Sequence, residues 1–280
     1  MNTQIIDGKK ISAEIRSDLG KKVAELKENG IELGLAVVLV GSDPASSVYV
    51  RNKIKACEEV GIKSLSYYLP EETKESELEE LILSLSKDEK VNGILVQLPL
   101  PKHINEDKIL SLIPVEKDVD GFSAESSGNL MLGKKCLAPC TPNGVIQMLK
   151  REKIEIAGKN AVIIGRSNIV GKPMAMLLLQ ENATVTICHS KTKNLAEVVS
   201  NADIVVVAIG RPKFLKPEMV KEGAVVIDVG INRVDGKLCG DVDYDAVAPK
   251  CSYITPVPGG VGPMTITMLM YNTISTVTEL

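Results

Sequence analysis

Tryptophan is missing from this chain of 280 residues, and phenylalanine and histidine occur only twice each. Without aromatic bulk, the cores must be filled by Val, Ile, Leu, Ala and Met. Two histidines are too few for a histidine-built metal centre. The six cysteines include no C-x-x-C; the closest pair, Cys136 and Cys140, stands four apart, which is no metal signature. Free thiols in a reducing cytoplasm are the expected state of all six. No dense Lys/Arg block is present, and a formal charge of −3 leaves no basic footprint for nucleic acid. Met1-Asn2-Thr3-Gln4-Ile5 is not an apolar signal region. Apolar runs such as Ile204 to Ile209 are too short to span a bilayer, so neither membrane nor nucleic acid is an expected partner. No G-x-S-x-G elbow exists, which removes the serine hydrolases of that type.

What is present reads as two domains of alternating strands and helices. The apolar share is 44% and the charged share 25%, ordinary for a globular chain, and the length suits two domains at about 100–200 residues each. In the first half, residues 10–29 carry Ile11, Ile15, Leu19, Val23 and Leu26 on one helical face. Residues 33–40 form a short β-branched run, hence a buried strand. Gly41-Ser42-Asp43-Pro44 then opens a helix that Gly61 stops. A strand over 64–69, a helix over 74–86 and a strand over 92–98 follow. After a proline-punctuated stretch comes a helix over 143–150. The alternation then resumes, with strands at 161–164, 184–188, 204–208 and 225–229 and helices at 172–181, 195–200 and 217–221. Such alternation implies right-handed crossovers and a mainly parallel sheet. A last helix, 265–277, follows a Pro/Gly-rich loop and is expected to cross back to the first domain.

The strand at 161–164 runs into Gly165-Arg166-Ser167-Asn168-Ile169-Val170-Gly171-Lys172-Pro173. Strand, glycine turn and helix with an early proline is the layout a pyrophosphate needs, because free N–H groups at the helix start face the anion. Ser167 stands where G-x-G-x-x-G has its second glycine, so its hydroxyl is a candidate hydrogen-bonding group. The next strand ends at Cys188-His189-Ser190-Lys191. An NAD site usually carries an acid here for the ribose hydroxyls. Instead Ser190, Arg166, Lys191 and Lys193 offer a hydroxyl and positive charge, which suits the 2′-phosphate of NADP. The alternative is that Arg166 and Lys191 are merely solvated. Gly210-Arg211-Pro212 and Gly230-Ile231-Asn232 also follow strands, and Ile231 is placed to meet the nicotinamide. His189 also reads as an ordinary loop histidine.

Tyr49 and Lys53 are four apart on the helix after the first buried strand and share a face. Val50, Ile54 and Cys57 form the adjacent apolar stripe, so Lys53 is expected at the border of the buried face. A lysine partly withdrawn from water can exchange protons near neutrality, although a lone helical lysine is usually a solvated charge. Gln97, at the end of the strand over 92–98, can orient that lysine or simply cap loop backbone. Asp118-Val119-Asp120-Gly121-Phe122 is a tight acidic turn, on the residues alone an ordinary aspartate turn, in which an outward Asp120 can accept two hydrogen bonds from an amino-pyrimidine edge. The segment from Pro256 to Pro263 is too rich in Pro and Gly for a core element. Its glycines permit close ligand approach, or it is a rigid hinge between domains.

These segments together resemble the bifunctional methylenetetrahydrofolate dehydrogenase/methenyltetrahydrofolate cyclohydrolase family. The matching stretches are Tyr49 to Lys53, Gly93 to Pro101, Lys117 to Phe122, Pro139 to Pro142, Gly165 to Pro173 and Thr255 to Thr265. The resemblance implies that Lys53 is the catalytic group of the cyclohydrolase step, with Gln97 adjusting it and Tyr49 lining the folate pocket. It assigns the pterin to Asp120, with Pro258 and Gly259 also at the substrate. It assigns NADP to Gly165, Arg166, Ser167, Ser190 and Ile231. No metal is implied, and a homodimer built through the cofactor domains is. The expected architecture is therefore α/β with two domains. An N-terminal parallel-sheet catalytic domain spans 1–139, with helix 265–280 packed back on it. A Rossmann-like NADP-binding domain spans 140–264, with a cleft between the two. Two rivals remain on the residues alone: an NADP oxidoreductase of another small molecule, and a non-catalytic NADP-binding sensor.

Overall fold

The computed structural model describes residues 2–278. The chain divides into two compact units, one made of Glu14–Cys140 and the chain from Ile266 onward, the other of the segment up to Ala13 and Thr141–Thr265. The first elements in order are a two-residue strand β1 (Gln4–Ile5) and helix α1 (Gly8–Glu28), whose first turns fall in the second of these units.

In the unit around residues 14–140, β2 (Gly34–Val40), α2 (Pro44–Val60), β3 (Lys63–Leu69), α3 (Glu75–Lys87) and β4 (Gly93–Val96) alternate, followed by the short helices α4 (Glu106–Ser111) and α5 (Ala124–Met131). Among the described residues, the three strands form a parallel sheet in the order β3-β2-β4. Val38 stands opposite both Tyr67 and Val96. Every residue of β2 is buried, which is why it reads as an unbroken apolar run rather than an alternation. Ala36, Val38 and Val40 pack with Leu78, Ile82 and Leu85 of α3. Beyond the sheet, Ile94 pairs with Asp118 in an isolated parallel bridge. The chain turns directly after this bridge, with Gly121 N donating to Asp118 O at 3.0 Å, so Asp120 lies at the tip of that turn. Gly93 admits this segment, because a Cβ there would lie 2.6 Å from Val119 Cγ1.

The other unit holds α6 (Cys140–Arg151), β5 (Asn160–Ile164), α7 (Gly171–Gln180), β6 (Thr184–Cys188), α8 (Leu195–Val199), β7 (Ile204–Val207), β8 (Val225–Asp228), β9 (Asn232–Val234), β10 (Lys237–Cys239), α9 (Tyr244–Val247) and β11 (Tyr253–Ile254). The last helix, α10 (Val261–Ser275), begins here, and the unit division falls after its Thr265. Among the described residues, six strands form one parallel sheet in the order β1-β11-β8-β7-β5-β6. The chain leaves β5 toward β6 on one side and then returns to β7 on the other. That reversal opens a crevice at the carboxyl ends of β5 and β7, where open α/β sheets bind ligands.

Several expectations need correction. The N-terminal segment was expected with residues 1–139, but Gln4 and Ile5 pair with Tyr253 and Ile254 of β11; a two-residue strand carries no periodic signal. Helices α6 and α10 start earlier than expected, at Cys140 and Val261. Their Pro142 and Pro263 lie in the first turn, where the backbone N–H has no helical partner to lose. The helix expected at 217–221 is a single 3-10 turn, Pro217–Met219. The hairpin β9–β10 was not expected at all.

Candidate active site and nucleotide site

Helix α2 is started by Pro44 and by the Asp43 carboxylate, which accepts Ser46 N at 2.7 Å, and is stopped by Gly61 in the left-handed region (φ 86°). Its buried stripe is Val50, Lys53, Cys57 and Val60. Lys53 therefore lies on the core-facing stripe itself rather than at its border, and keeps only 9% exposure. A lysine is almost never buried this far without a partner. Here Nζ donates to Gln97 Oε1 at 3.0 Å. Gln97 follows β4, and its Nε2 donates to Leu98 O at 2.7 Å. An ammonium only donates and a carbonyl only accepts, so one orientation of the amide satisfies both neighbours.

The acidic turn divides its two aspartates by role. Asp118, 3% exposed, accepts Gly121 N at 3.1 Å, Phe122 N at 3.2 Å, Ser123 N at 2.8 Å and Ser126 Oγ at 2.8 Å. It is the anchor of the turn. Asp120, half-buried, is the carboxylate the turn presents. Burial pushes its pKa up to about 6, against the pull of the Lys53 charge and with a further push from Asp118. Behind it, Cys140 Sγ donates to Val119 O at 3.3 Å and approaches Asp120 Oδ1 at 3.8 Å. Asn272 of α10, 1% exposed, donates through Nδ2 to Val119 O at 2.8 Å and Ala138 O at 2.9 Å. Burial, and after it Asp120, raises the Cys140 thiol well above its usual pKa, so it remains a neutral donor.

The structure thus brings Lys53, Gln97 and Asp120 into one neighbourhood at the carboxyl end of the small sheet. Tyr49 lies one turn earlier on α2 with 39% exposure, and burial raises its phenol. Pro258 and Gly259 belong to the other unit. There Gly259 has φ 105°, and its carbonyl accepts Lys9 N at 3.1 Å. The roles of Asp118, Cys140 and Asn272 were missed in the sequence. Only the doubled aspartate in Asp118-Val119-Asp120 carried any local hint of them.

In the sheet of the other unit, β5 ends at Gly165, whose φ is 132°. A Cβ there would meet Ala208 O at 2.3 Å, and one at Gly171 would meet Gly165 O at 2.3 Å. The turn is therefore threaded between the ends of β5 and β7 with α7 packed directly on it. Ser167 Oγ accepts Val170 N at 3.2 Å and Gly171 N at 3.3 Å. The hydroxyl closes its own turn, and its O–H still donates outward. Arg166, Ser190 and Lys191 are exposed. His189 Nδ1 accepts Lys191 N at 3.1 Å, so this histidine builds the loop after β6. Ile231 is 47% exposed. A glycine turn ahead of a helix, beside a hydroxyl, a guanidinium and no carboxylate, fits a dinucleotide with a 2′-phosphate. All six cysteines are free, and Cys57, Cys140, Cys188 and Cys251 are buried. Among the described residues, no helix is long and apolar enough to cross a membrane.

Comparison with known proteins agrees over the full length. Residues 6–120 match the family model for the tetrahydrofolate dehydrogenase/cyclohydrolase catalytic domain, and residues 139–280 match its NAD(P)-binding domain. The bifunctional protein FolD of Agathobacter rectalis is 64% identical over 269 residues, covering 96% of each chain. The crystal structure of the FolD methylenetetrahydrofolate dehydrogenase/cyclohydrolase of Campylobacter jejuni is 54% identical with a TM-score of 0.97, covering 98% of each chain. The Trypanosoma brucei dehydrogenase-cyclohydrolase, solved with NADP and an inhibitor, is 39% identical with a TM-score of 0.94, covering 99% of this chain and 98% of that one.

Proposed function

The chain belongs to the tetrahydrofolate dehydrogenase/cyclohydrolase family, and from that premise we propose how its residues divide the work. It is a bifunctional enzyme of one-carbon folate metabolism. It oxidises 5,10-methylenetetrahydrofolate to the 5,10-methenyl form with NADP and hydrolyses that product to 10-formyltetrahydrofolate.

The observation that carries the assignment of residues is the buried Lys53 amine held by Gln97 at 3.0 Å, in the field of Asp120. Asp120 accepts hydrogen bonds from the amino-pyrimidine edge of the pterin, and Tyr49 stacks on the folate ring. In the hydrolytic step, water adds through oxygen to the electrophilic methenyl carbon. The carbon–N5 bond then opens, leaving the formyl group on N10. Lys53, as the ammonium, gives a proton to N5 as that bond opens and recovers one of the two protons the water loses, the other passing to solvent. Gln97 keeps its Nζ aimed at those atoms. Acid–base help of this kind contributes about 10²–10⁴-fold.

The oxidation needs no strong protein acid, because the folate nitrogens stabilise the cation that forms as hydride leaves. Its requirement is orientation, which holds about 7–11 kcal/mol for two well-placed reactants. When bound, NADP supplies the hydride acceptor. Gly165 and Ser167 would hold its pyrophosphate, Arg166 and Ser190 its 2′-phosphate, and Ile231 would support the nicotinamide.

We place the working form as a homodimer joined at β6. Among the described residues that strand is an edge of its sheet, and Ile187 on it is exposed. The free, mostly buried thiols suit a reducing compartment such as the cytoplasm. The test is a spectrophotometric assay of methylenetetrahydrofolate with each nicotinamide in turn. Reduction of NADP with little reduction of NAD is expected. Equal rates with both would overturn the 2′-phosphate assignment, and no rate with either would overturn the enzyme.

A further inference from the structure

The segments that follow β7 and β8 are tied together by a carboxylate that neither reaction uses. Asp241 has no exposed surface. Its Oδ2 accepts Ile209 N at 2.7 Å and Gly210 N at 2.9 Å, and its Oδ1 accepts Arg211 N at 2.8 Å and Asn232 Nδ2 at 2.9 Å. The three backbone donors belong to the turn that leaves β7. Asn232 opens β9, one residue after Ile231. One side chain thus holds the turn after β7 and the segment after β8 as a single surface.

Asp241 is itself seated by a second buried carboxylate. Asp228, 2% exposed at the end of β8, accepts Asp241 N at 2.9 Å and Gly230 N at 3.0 Å through Oδ1, and Val242 N at 2.9 Å through Oδ2. The space around the pair is closed. A Cβ at Gly230 would lie 2.2 Å from Asp241 Cγ, and one at Gly240 would lie 1.8 Å from Asp228 Oδ2. A carboxylate is retained in such a place only when its lone pairs are filled by donors, and for Asp241 all four donors lie in the segments that follow β7 and β8.

The position of these strands decides what that surface faces. The sheet runs β6-β5-β7-β8, and ligands lie across the carboxyl ends at the β5/β7 reversal. A dinucleotide with its pyrophosphate at the Gly165 turn and its 2′-phosphate at Ser190 beyond β6 would have its nicotinamide on the side of β7 and β8. We propose that Asp241, seated by Asp228, is a positioning residue that fixes the nicotinamide end of NADP for hydride transfer and leaves the adenylate end untouched. This rests on the NADP reading above.

The proposal is tested on the full-length enzyme with Asp241→Asn and Asn232→Ala. The first turns an acceptor into an amide whose hydrogens oppose backbone N–H groups; the second cuts only the link to the segment after β8. Two quantities are read: dehydrogenase kcat with NADP, and the inhibition constant of 2′,5′-ADP, which carries only the adenylate end. We expect kcat to fall about tenfold to a hundredfold in Asp241→Asn, since a misplacement near 1 Å has that scale of effect, with a smaller fall in Asn232→Ala. The inhibition constant should stay near that of the parent in both. An unchanged kcat in both variants overturns the proposal. So does a loss of 2′,5′-ADP affinity in step with kcat, which would mark Asp241 as a general support of the fold. If Asp241→Asn does not fold, Asn232→Ala decides alone by the same two readings. Failure of the NADP reading itself looks different: the parent enzyme would then not be inhibited by 2′,5′-ADP in competition with NADP.

Discussion

Lys53 occupies a position where an apolar side chain would pack well, between Val50 and Cys57 on the buried stripe of α2. Methionine has the length and flexibility to fill that space. Lys53→Met should therefore fold normally and lose cyclohydrolase activity by about 10²–10⁴-fold, while NADP reduction continues. The disappearance of methenyltetrahydrofolate absorbance reads the first and nicotinamide absorbance the second; a variant that hydrolyses at the parent rate removes the assignment. Asp120 gives a pH dependence with a definite sign. Its carboxyl titrates at about 6 in the folded chain because burial outweighs the Lys53 charge, compared with about 3.9 in an unfolded one. Below pH 6 it becomes protonated and loses acceptor capacity, so the KM for folate should rise as pH falls through that value. Asp120→Asn should flatten the profile. The folded state holds this proton more tightly than the unfolded one, so the stability associated with it is present below about pH 4 and is lost as pH rises toward 6. Urea midpoints should accordingly show Asp120→Asn gaining on the parent as pH goes from 5 to about 8.

Two turns carry the sites, and each depends on a feature that a single substitution removes. Asp118 accepts four hydrogen bonds within residues 121–126. Asp118→Ala leaves those donors unpaired in a buried place, at a cost of about 1–3 kcal/mol or more. Urea denaturation should show the loss, and folate affinity should fall with it because Asp120 is presented by the same turn. At the other turn, Gly165→Ala adds a Cβ 2.3 Å from Ala208 O in a backbone with φ 132°. NADP binding, followed by fluorescence titration of the reduced form, should weaken at least tenfold, about 1.4 kcal/mol. Most elements were legible because their apolar spacing matched a helix or a buried strand. The hairpin β9–β10 was not, although its Asp235-Gly236 tip, with φ of 49° and 77°, is a strong two-residue turn signal. Its flanks, Asn232–Val234 and Lys237–Cys239, are too short for an alternation to register. The turn of Asp118 was half legible: the acids were visible, but which one faced inward was not.

For the molecule as a whole, the open question in the sequence was how far each domain extends and what it assembles with. Among the described residues β6 is an edge strand, whose outer rank of backbone N–H and C=O groups has no neighbouring strand, and Ile187 on it is 36% exposed. In the proposed homodimer Ile187→Lys places a charge at each edge of a symmetric pair and should leave a monomer in sedimentation. A parent chain that already sediments at the mass of one copy would remove the dimer. The N-terminal segment shows why domain limits resist a linear reading. Gln4 and Ile5 join a strand some 250 residues later, and no local pattern in so short a piece points there.

The alternation of the longer strands and helices, the glycine turn, the shared face of Tyr49 and Lys53 and the absence of an acid after β6 were settled by the chain itself, because each depends on neighbours a few residues away. That Gln97 serves Lys53, 44 residues distant, was an expectation the hydrogen bond bears out; folding alone decided that Asn272 secures the segment beside Asp120 and that Asp241 joins the turns after two strands. Those bonds are made by side chains whose partners come from elsewhere in the chain. A buried polar group must find a donor or acceptor wherever packing leaves one, and packing is set by the whole core at once.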